Sequence, residues 1–350
     1  MKQTCFALAL LCLLSLSGCG ISAVSETQEV NVYNWGEYID TSVLDEFTAQ
    51  TGIKVNYQTY DSNESLYGKL AGGATGYDVI IPSDYMIGQM IEEDMLEPLN
   101  FEHIPNFADI DPTLKNPEYD PENRYSVPYM FGILGIIYNT KMVDPNEDME
   151  TWDVLWNEAY AGDILMFENS RDSIGIALKK AGHSYNTTNP NHIREAADLL
   201  IEQKPIVQAY VMDKIFQKLE GSNAAIGVYY YGDYLTMVEN NPDLAFAIPR
   251  EGTNRYVDAM CIPKGSENRE NAEAFINFMC STQAGLANVE ETWYSTPLLS
   301  VREALDPEVF QDPYAYPDNS VLARCETLSC LPAEIRTCYN DEWLRLLNTD

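Results

Sequence analysis

Bases are scarce in this chain: 21 lysines and arginines face 54 acids, for a net charge of −33 over 350 residues. That balance excludes a nucleic-acid partner, because phosphate binding needs clustered bases. The same field would concentrate a cationic ligand. Histidine is scarcer still. Its three copies, His103, His183 and His192, fall in segments that read as loop or exposed helix. There is no His-Glu-x-x-His pattern, no nucleophile elbow and no dinucleotide fingerprint. Gly72, Gly73 and Gly76 end a helix and form no phosphate loop, since no Gly-Lys-Ser/Thr follows. Catalysis therefore has little to work with, and a glycosidase using paired carboxylates is the one enzyme reading left open. After residue 16 no apolar run is long enough to cross a bilayer. Five cysteines follow residue 19: Cys261, Cys280, Cys325, Cys330 and Cys338. Their spacing fits no zinc knuckle, so neither a metal nor a cofactor is expected. Cys325 and Cys330 are close enough in sequence to pair, but an odd number leaves at least one thiol over.

The N-terminus carries an address. Met1-Lys2 supply a short positive region, and Cys5 to Leu16 are almost uninterruptedly apolar. The run is too short to span a membrane comfortably and reads as a signal segment over residues 1–18. Leu16-Ser17-Gly18-Cys19 resembles a bacterial lipobox. That resemblance implies cleavage before Cys19, lipidation of Cys19 and a polar tether over 19–28. The expected location is outside the cell, lipid-anchored to the bacterial membrane and touching it through the acyl chains alone.

The rest of the chain is ample for a large core, with 45% hydrophobic residues overall, and suggests one unit divided into two lobes. Asn31 to Tyr38 reads as a strand breaking into a turn that presents Trp35, Glu37 and Tyr38. Taken alone, those aromatics read first as core packing. Thr41 or Ser42 can cap a helix ending near Gly52, Ile53 to Tyr60 alternates as a strand, and Ser62 can cap the next helix. Tyr77 to Pro82 is a short central strand with Ser83-Asp84-Tyr85 at its carboxyl end, before a helix over Met86 to Met95. Three β–α units in succession imply a parallel sheet whose strand ends gather Trp35, Tyr38, Ser83 and Tyr85. Tyr129 to Asn139, broken by Gly132 and Gly135, reads as a strand that bends or passes between lobes.

A second unit comes next. Strand Ile164 to Phe167 leads through Glu168, Asn169 and Asp172 into a helix ending at Lys180, where the acids serve equally as helix-start charge. Asn191 can cap a helix over His192 to Glu202, and strand Ala224 to Tyr231 runs into Gly232-Asp233-Tyr234. Leu244 to Pro249 and Tyr256 to Pro263 are two more strands, the second placing Tyr256 and Asp258 on one face. Asn271 can cap a helix to Cys280, and Pro332 to Leu347 reads as a closing helix.

Strand end, aromatic, small residue and acid thus recur together. The stations are Trp35-Gly36-Glu37-Tyr38, Ser83-Asp84-Tyr85, Tyr230-Tyr231-Gly232-Asp233 and Tyr256-Val257-Asp258. Ordered motifs add to them: Tyr60-Asp61-Ser62-Asn63-Glu64, Tyr125-Ser126-Val127-Pro128-Tyr129, Asn186-Thr187-Thr188-Asn189-Pro190 and Tyr294-Ser295-Thr296-Pro297. In this order, from about residue 30 to the C-terminus, the set resembles the polyamine-binding lipoproteins that serve spermidine/putrescine ABC transporters.

The resemblance implies an α/β, two-lobed periplasmic-binding-protein fold of type II character. Each lobe would be a mixed sheet flanked by helices, with the ligand in the interlobe cleft. Lobe 1 would comprise 29–133 plus 260–304, and lobe 2 would comprise 134–259 plus 305–350. It implies hinge closure around the ligand, a permease as partner and no enzymatic activity. Carried over position by position, Trp35, Tyr38, Tyr85, Tyr230 and Tyr256 would wall a slot around a methylene chain. Asp258 would meet an amine along that chain, Ser83 one terminal amine and Asp172 the other. Asp233 matches an acid of putrescine-selective relatives. The pattern departs at three places. Asn169 stands where a second acid is expected, tyrosines at 230 and 256 replace tryptophans, and no glutamine occurs near 326–329, with Glu326 as a candidate substitute. Those departures leave spermidine against putrescine open. The same fold carrying another solute, such as a sugar or an iron complex, is the alternative.

Overall fold

The computed structural model describes residues 28–349. The expected signal segment, Cys19 and all but the last residue of the tether lie outside the described residues. The first part of the chain alternates strand and helix: β1 (Glu29–Trp35), α1 (Ser42–Thr51), β2 (Lys54–Tyr60), α2 (Asn63–Ala71), β3 (Val79–Ile80) and α3 (Asp84–Glu92). Helix α1 stops where Gly52 turns left-handed (φ 74°), the conformation glycine adopts without penalty. Helix α2 begins in a capping box, with the Ser62 hydroxyl accepting from the Ser65 amide and the Ser65 hydroxyl answering the Ser62 amide. β1 pairs parallel with both β2 and β3, as expected of strands joined through helices.

After the short β4 (Leu96–Glu97) comes β5 (Ser126–Asn139), the longest strand and the joint of the molecule. Further along lie β6 (Ile164–Phe167), α4 (Ser170–Lys180), α5 (Pro190–Gln203), β7 (Val207–Val211), α6 (Lys214–Glu220), β8 (Ile226–Tyr230), α7 (Tyr231–Asn240), β9 (Leu244–Ala247) and β10 (Arg255–Pro263). The first half of β5, to Ile133, pairs antiparallel with β10. From Leu134 onward the same strand pairs with β8 and then also with β9. One strand therefore serves two sheets, in the order β2-β1-β3-β10-β5 and then β5-β8-β6-β7. The change of pairing partner falls at Ile133/Leu134, within the segment expected to bend or pass between lobes.

Two large cores lie on either side. One is built from residues such as Val32, Phe47, Val127, Tyr256, Phe275 and Val301. The other contains Leu134, Trp152, Phe167, Ile226, Phe246 and Tyr339. A smaller cluster, including Leu66, Ile87 and Met90, lies beneath α2 and α3. Ile248 belongs to one core and Tyr256 to the other, and Tyr256 and Val257, upstream of the boundary expected near residue 259, already pair with the first half of β5.

The chain ends with α8 (Arg269–Met279), α9 (Thr282–Thr292), α10 (Leu299–Ala304), α11 (Pro307–Phe310), α12 (Asn319–Leu322) and α13 (Ala333–Asn348). Three local expectations change. Asn189, not Asn191, caps α5, because Pro190 takes the first helical position where no amide is needed. Asn271 lies inside α8, where its amide group donates to the Glu29 carbonyl at 2.8 Å. Tyr231 to Tyr234 belong to α7, not to a strand and loop. All five described cysteines are free thiols.

Candidate functional site

The cleft is assembled from strand ends. The segments that follow β1, β2, β3, β6, β7 and β8 all reach one cavity, closed on the remaining side by Asn254, Tyr256 and Asp258 at the start of β10. This is where open α/β sheets present ligand sites, because the turns there are free to vary while the strands stay rigid. The cavity encloses about 820 Å³, part of it open to solvent. Nine aromatic residues line it: Trp35, Tyr38, Tyr60, Tyr85, Phe216, Tyr229, Tyr230, Tyr256 and Tyr294. So do eight acids: Glu37, Asp61, Glu64, Asp84, Asp172, Asp213, Asp233 and Asp258. No lysine, arginine or histidine is among the lining residues.

Four helices start at this cavity, and each carries one of those acids in its first turn: Glu64 on α2, Asp84 on α3, Asp172 on α4 and Asp233 on α7. Helix N-termini hold partial positive charge and stabilise carboxylates there. The dipoles thus offset part of the cost of crowding acids around the cavity.

Three of the buried acids form separate centres. Asp258 accepts from the Ser83 hydroxyl and from the Tyr38 phenol, each at 2.6 Å. Burial pushes its pKa up to about 6 against those two hydrogen bonds. Asp172 accepts from the Asn169 amide group at 2.8 Å, from the Tyr230 phenol at 3.3 Å and from the Asn254 amide group at 3.4 Å. Burial raises its pKa as well. Asp233 accepts from the Tyr294 phenol at 2.6 Å. Its pKa is raised to about 8, mainly by burial and further by the Asp213 and Glu37 carboxylates.

The aromatic walls are mutually braced. Tyr38 meets Tyr294 edge-on at 4.6 Å, and Tyr230 meets Tyr256 edge-on at 4.8 Å. Trp35 leans on Tyr60 at 4.7 Å while its indole donates to the Ile81 carbonyl at 2.8 Å. Tyr256 lies over Gly132, where any Cβ would stand 2.2 Å from the phenol oxygen. The Tyr85 hydroxyl donates to Glu64 at 2.9 Å and accepts from Asn63 at 3.2 Å. Asn63 also accepts from the Ser83 amide at 3.1 Å, so one buried side chain orients two wall residues. Across the cleft the lobes touch. The Arg171 guanidinium lies 5.0 Å from the Tyr85 ring, and Arg336 pairs with Glu93 at 3.1 Å.

Eleven of the twelve residues expected at the site line this cavity, with Glu37 and Asn169 among them. Glu37 is exposed on the rim, in a turn with φ 37°. Glu326 does not line it. Its carboxylate pairs with Lys179 at 2.9 Å and takes the Ser184 hydroxyl, so it is engaged elsewhere. Leu328 is the wall residue from that segment. Asp84, Glu64 and Tyr294 also line the cavity; Asp84 sits between Ser83 and Tyr85, while Glu64 and Tyr294 belong to the ordered motifs 60–64 and 294–297. Asp213 and Asn254 have no local signal, because the elements that bring them in are remote in sequence.

The pattern of a bacterial extracellular solute-binding protein matches residues 42–317. The chain belongs to that family. The spermidine/putrescine-binding periplasmic protein of Escherichia coli is 34% identical over 310 residues, covering 88% of this chain and 89% of that protein. Among solved structures, a Listeria monocytogenes protein assigned to a spermidine/putrescine ABC transporter superposes with a TM-score of 0.89 at 37% identity, over 92% of this chain and 100% of that one. The substrate-binding protein PotD of the Streptococcus pneumoniae spermidine/putrescine ABC transporter gives 0.78 at 39% identity, over 91% and 98%. This solute-binding protein therefore shares the two-lobed fold of those relatives, with its cavity between the lobes.

Proposed function

We propose that this solute-binding protein captures a polyamine, spermidine or putrescine, outside the cytoplasm and delivers it to the permease of an ABC transporter. In this reading Cys19 carries the lipid anchor, lobe 1 spans 29–133 with 255–304, and the protein catalyses nothing. One observation carries the reading: a cavity of nine aromatics and eight acids without a single base. A polyamine is an apolar chain with ammoniums at intervals. Each ammonium against an aromatic face is worth about 0.5–2 kcal/mol once desolvated, and each buried ammonium needs a carboxylate. Asp258, Asp172 and Asp233 supply carboxylates at separate points, and Trp35, Tyr85, Tyr230 and Tyr256 supply walls. Ser83 and Tyr38 hold Asp258 in place.

Calorimetric titration with spermidine and with putrescine tests the reading and ranks the two ligands. Affinity for neither below roughly 100 μM, weak for a dedicated scavenger, would overturn it. Trp35→Ala is expected to weaken binding by about 1 kcal/mol, some fivefold, through loss of a cation–π wall. A fall in thermal stability with unchanged affinity would instead make Trp35 a packing residue.

Protons compete with the ligand. Near pH 7 Asp233, at about 8, is mostly protonated and Asp258, at about 6, is mostly ionised. An arriving ammonium favours the ionised acid and expels the Asp233 proton. Affinity is therefore expected to rise between pH 6 and 8 and to fall steeply as Asp258 takes up its proton below 6. Binding enthalpies measured near pH 7 in buffers of different ionisation heat should differ in proportion to that heat. Identical enthalpies would mean that no proton is released.

A further inference from the structure

A second cavity of about 1190 Å³, part of it open to solvent, lies behind the cleft. Its walls come from α3, the segment around Leu114 to Tyr119, the start of β10 and the stretch 327–330. Leu328 belongs to the walls of both cavities. Ile91, Leu114, Pro117 and Val257 make much of the lining apolar.

The charge in this cavity is anomalous. Arg255 contributes its side chain to the wall, and burial lowers the pKa of its guanidinium. Its neighbour Arg302 provides the contrast. Both guanidiniums stack on the Phe131 ring, at 5.7 and 5.6 Å. Arg302 is paired with Asp111, whereas Arg255 makes no ion pair and no side-chain hydrogen bond among the described residues. The Asp111 and Asp84 carboxylates act on Arg255 only from beyond ion-pair distance, and Asp111 is already held by Arg302, so this part-buried guanidinium beside a second cation keeps its hydrogen-bonding fork free. The two acids of the cavity do not occupy it. Glu92 is exposed and turned to Arg336 and the Cys330 thiol, and Glu118 is exposed on the rim.

We propose that this rear cavity is a second binding site, which takes the carboxylate of a small organic acid on Arg255 and its apolar body against Leu114, Pro117 and Val257. The planar fork of a guanidinium matches a carboxylate with two parallel hydrogen bonds, and apolar walls favour an acid with a hydrocarbon body over an inorganic ion. Thr113, Thr327 and Ser329 belong to the same lining, the Thr113 hydroxyl donating to Asp111 at 2.8 Å. This site stands apart from the polyamine reading and does not depend on it.

The test uses benzoate, with inorganic phosphate at equal ionic strength as the comparison. Calorimetry on the ligand-free protein should show saturable benzoate binding that Arg255→Gln weakens at least about tenfold, the worth of one charge-assisted pair. A crystal grown with benzoate should place the carboxylate on Arg255. Thr113→Trp, which places a large side chain at the cavity's exposed edge, should abolish binding even if Arg255→Gln folds poorly. Phosphate binding as tight as benzoate would replace the organic acid by a simple anion and overturn the proposed ligand class. No saturable binding, or binding that survives both substitutions, would overturn the site.

Discussion

Asp258→Asn is expected to weaken polyamine binding by about 3–5 kcal/mol, roughly a hundredfold to several thousandfold, the usual loss when one partner of a buried charge pair is removed. Asparagine keeps the shape of the side chain and loses its charge. It also breaks the local arrangement. The Ser83 hydroxyl and the Tyr38 phenol both donate to this carboxylate, and an asparagine offers one accepting oxygen where aspartate offers two. One wall residue is left without its acceptor, so the site loses both charge and alignment. The empty protein should not pay for this in stability, because burial already disfavours the Asp258 carboxylate. Calorimetry and thermal melts on the same samples separate the two effects. Glu326→Gln is the control, since that side chain lies off the cavity and is paired with Lys179. Its affinity should stay within about twofold of the starting protein, the range of substitutions away from a site. Unchanged affinity in Asp258→Asn would exclude a cationic ligand at this centre and favour a sugar or another neutral solute.

Gly252→Ala should be the most destabilising of the single-methyl changes, by roughly 2–5 kcal/mol from backbone strain and overpacking together. Gly252 has φ 93°, and a Cβ there would stand 2.0 Å from the Arg324 carbonyl oxygen. A carbonyl in the main chain cannot swing aside as a side-chain tip can. The position matters because the 324–326 segment is hydrogen-bonded here to the stretch that leads into β10. The Glu326 amide donates to the Thr253 carbonyl and the Arg255 amide to the Glu326 carbonyl, while the buried Trp152 indole donates to the Gly252 carbonyl at 2.9 Å. The added methyl group would push the 324–326 segment away from the 252–255 stretch. Gly265→Ala separates the two causes: φ is 86° there and nothing lies within 4 Å of the new carbon, so strain acts alone. Urea unfolding midpoints of the two variants should differ by the cost of the contact. Equal midpoints would mean that the Arg324 segment yields freely.

Much of the site was legible because strand-end turns carry their chemistry in short words. Trp35 and Tyr38, Ser83 and Tyr85, and Tyr230 and Asp233 each lie within a few residues of a strand's carboxyl end, and such ends converge in a parallel sheet, whereas Tyr256 and Asp258 come in from the start of the antiparallel β10. The helix limits were nearly as readable, with Ser62 starting α2 and Gly52 ending α1 where their chemistry predicts. Two other caps were misread for a local reason. Asn189 and Asn191 both can cap, and only the proline between them decides; Asn271 resembles a cap but is needed to reach Glu29, 242 residues away. Glu326 looked like a substitute for a missing polar residue, yet a salt bridge with Lys179 in another element had already claimed it.

By itself the sequence pointed to a cationic ligand and to where the walls would come from. An excess of acids, aromatics beside them at strand ends and the absence of catalytic patterns are properties of composition and short spacing, which need no folded chain to exist. Only the tertiary structure decided which acids are buried without a base, where β5 changes its pairing partner, and that Asp213, Asn254 and Leu328 complete the cavity. Those are outcomes of contacts between segments far apart in the chain. A carboxylate's pKa, like a guanidinium's lack of a partner, depends on what folding brings beside it and on how much water folding removes.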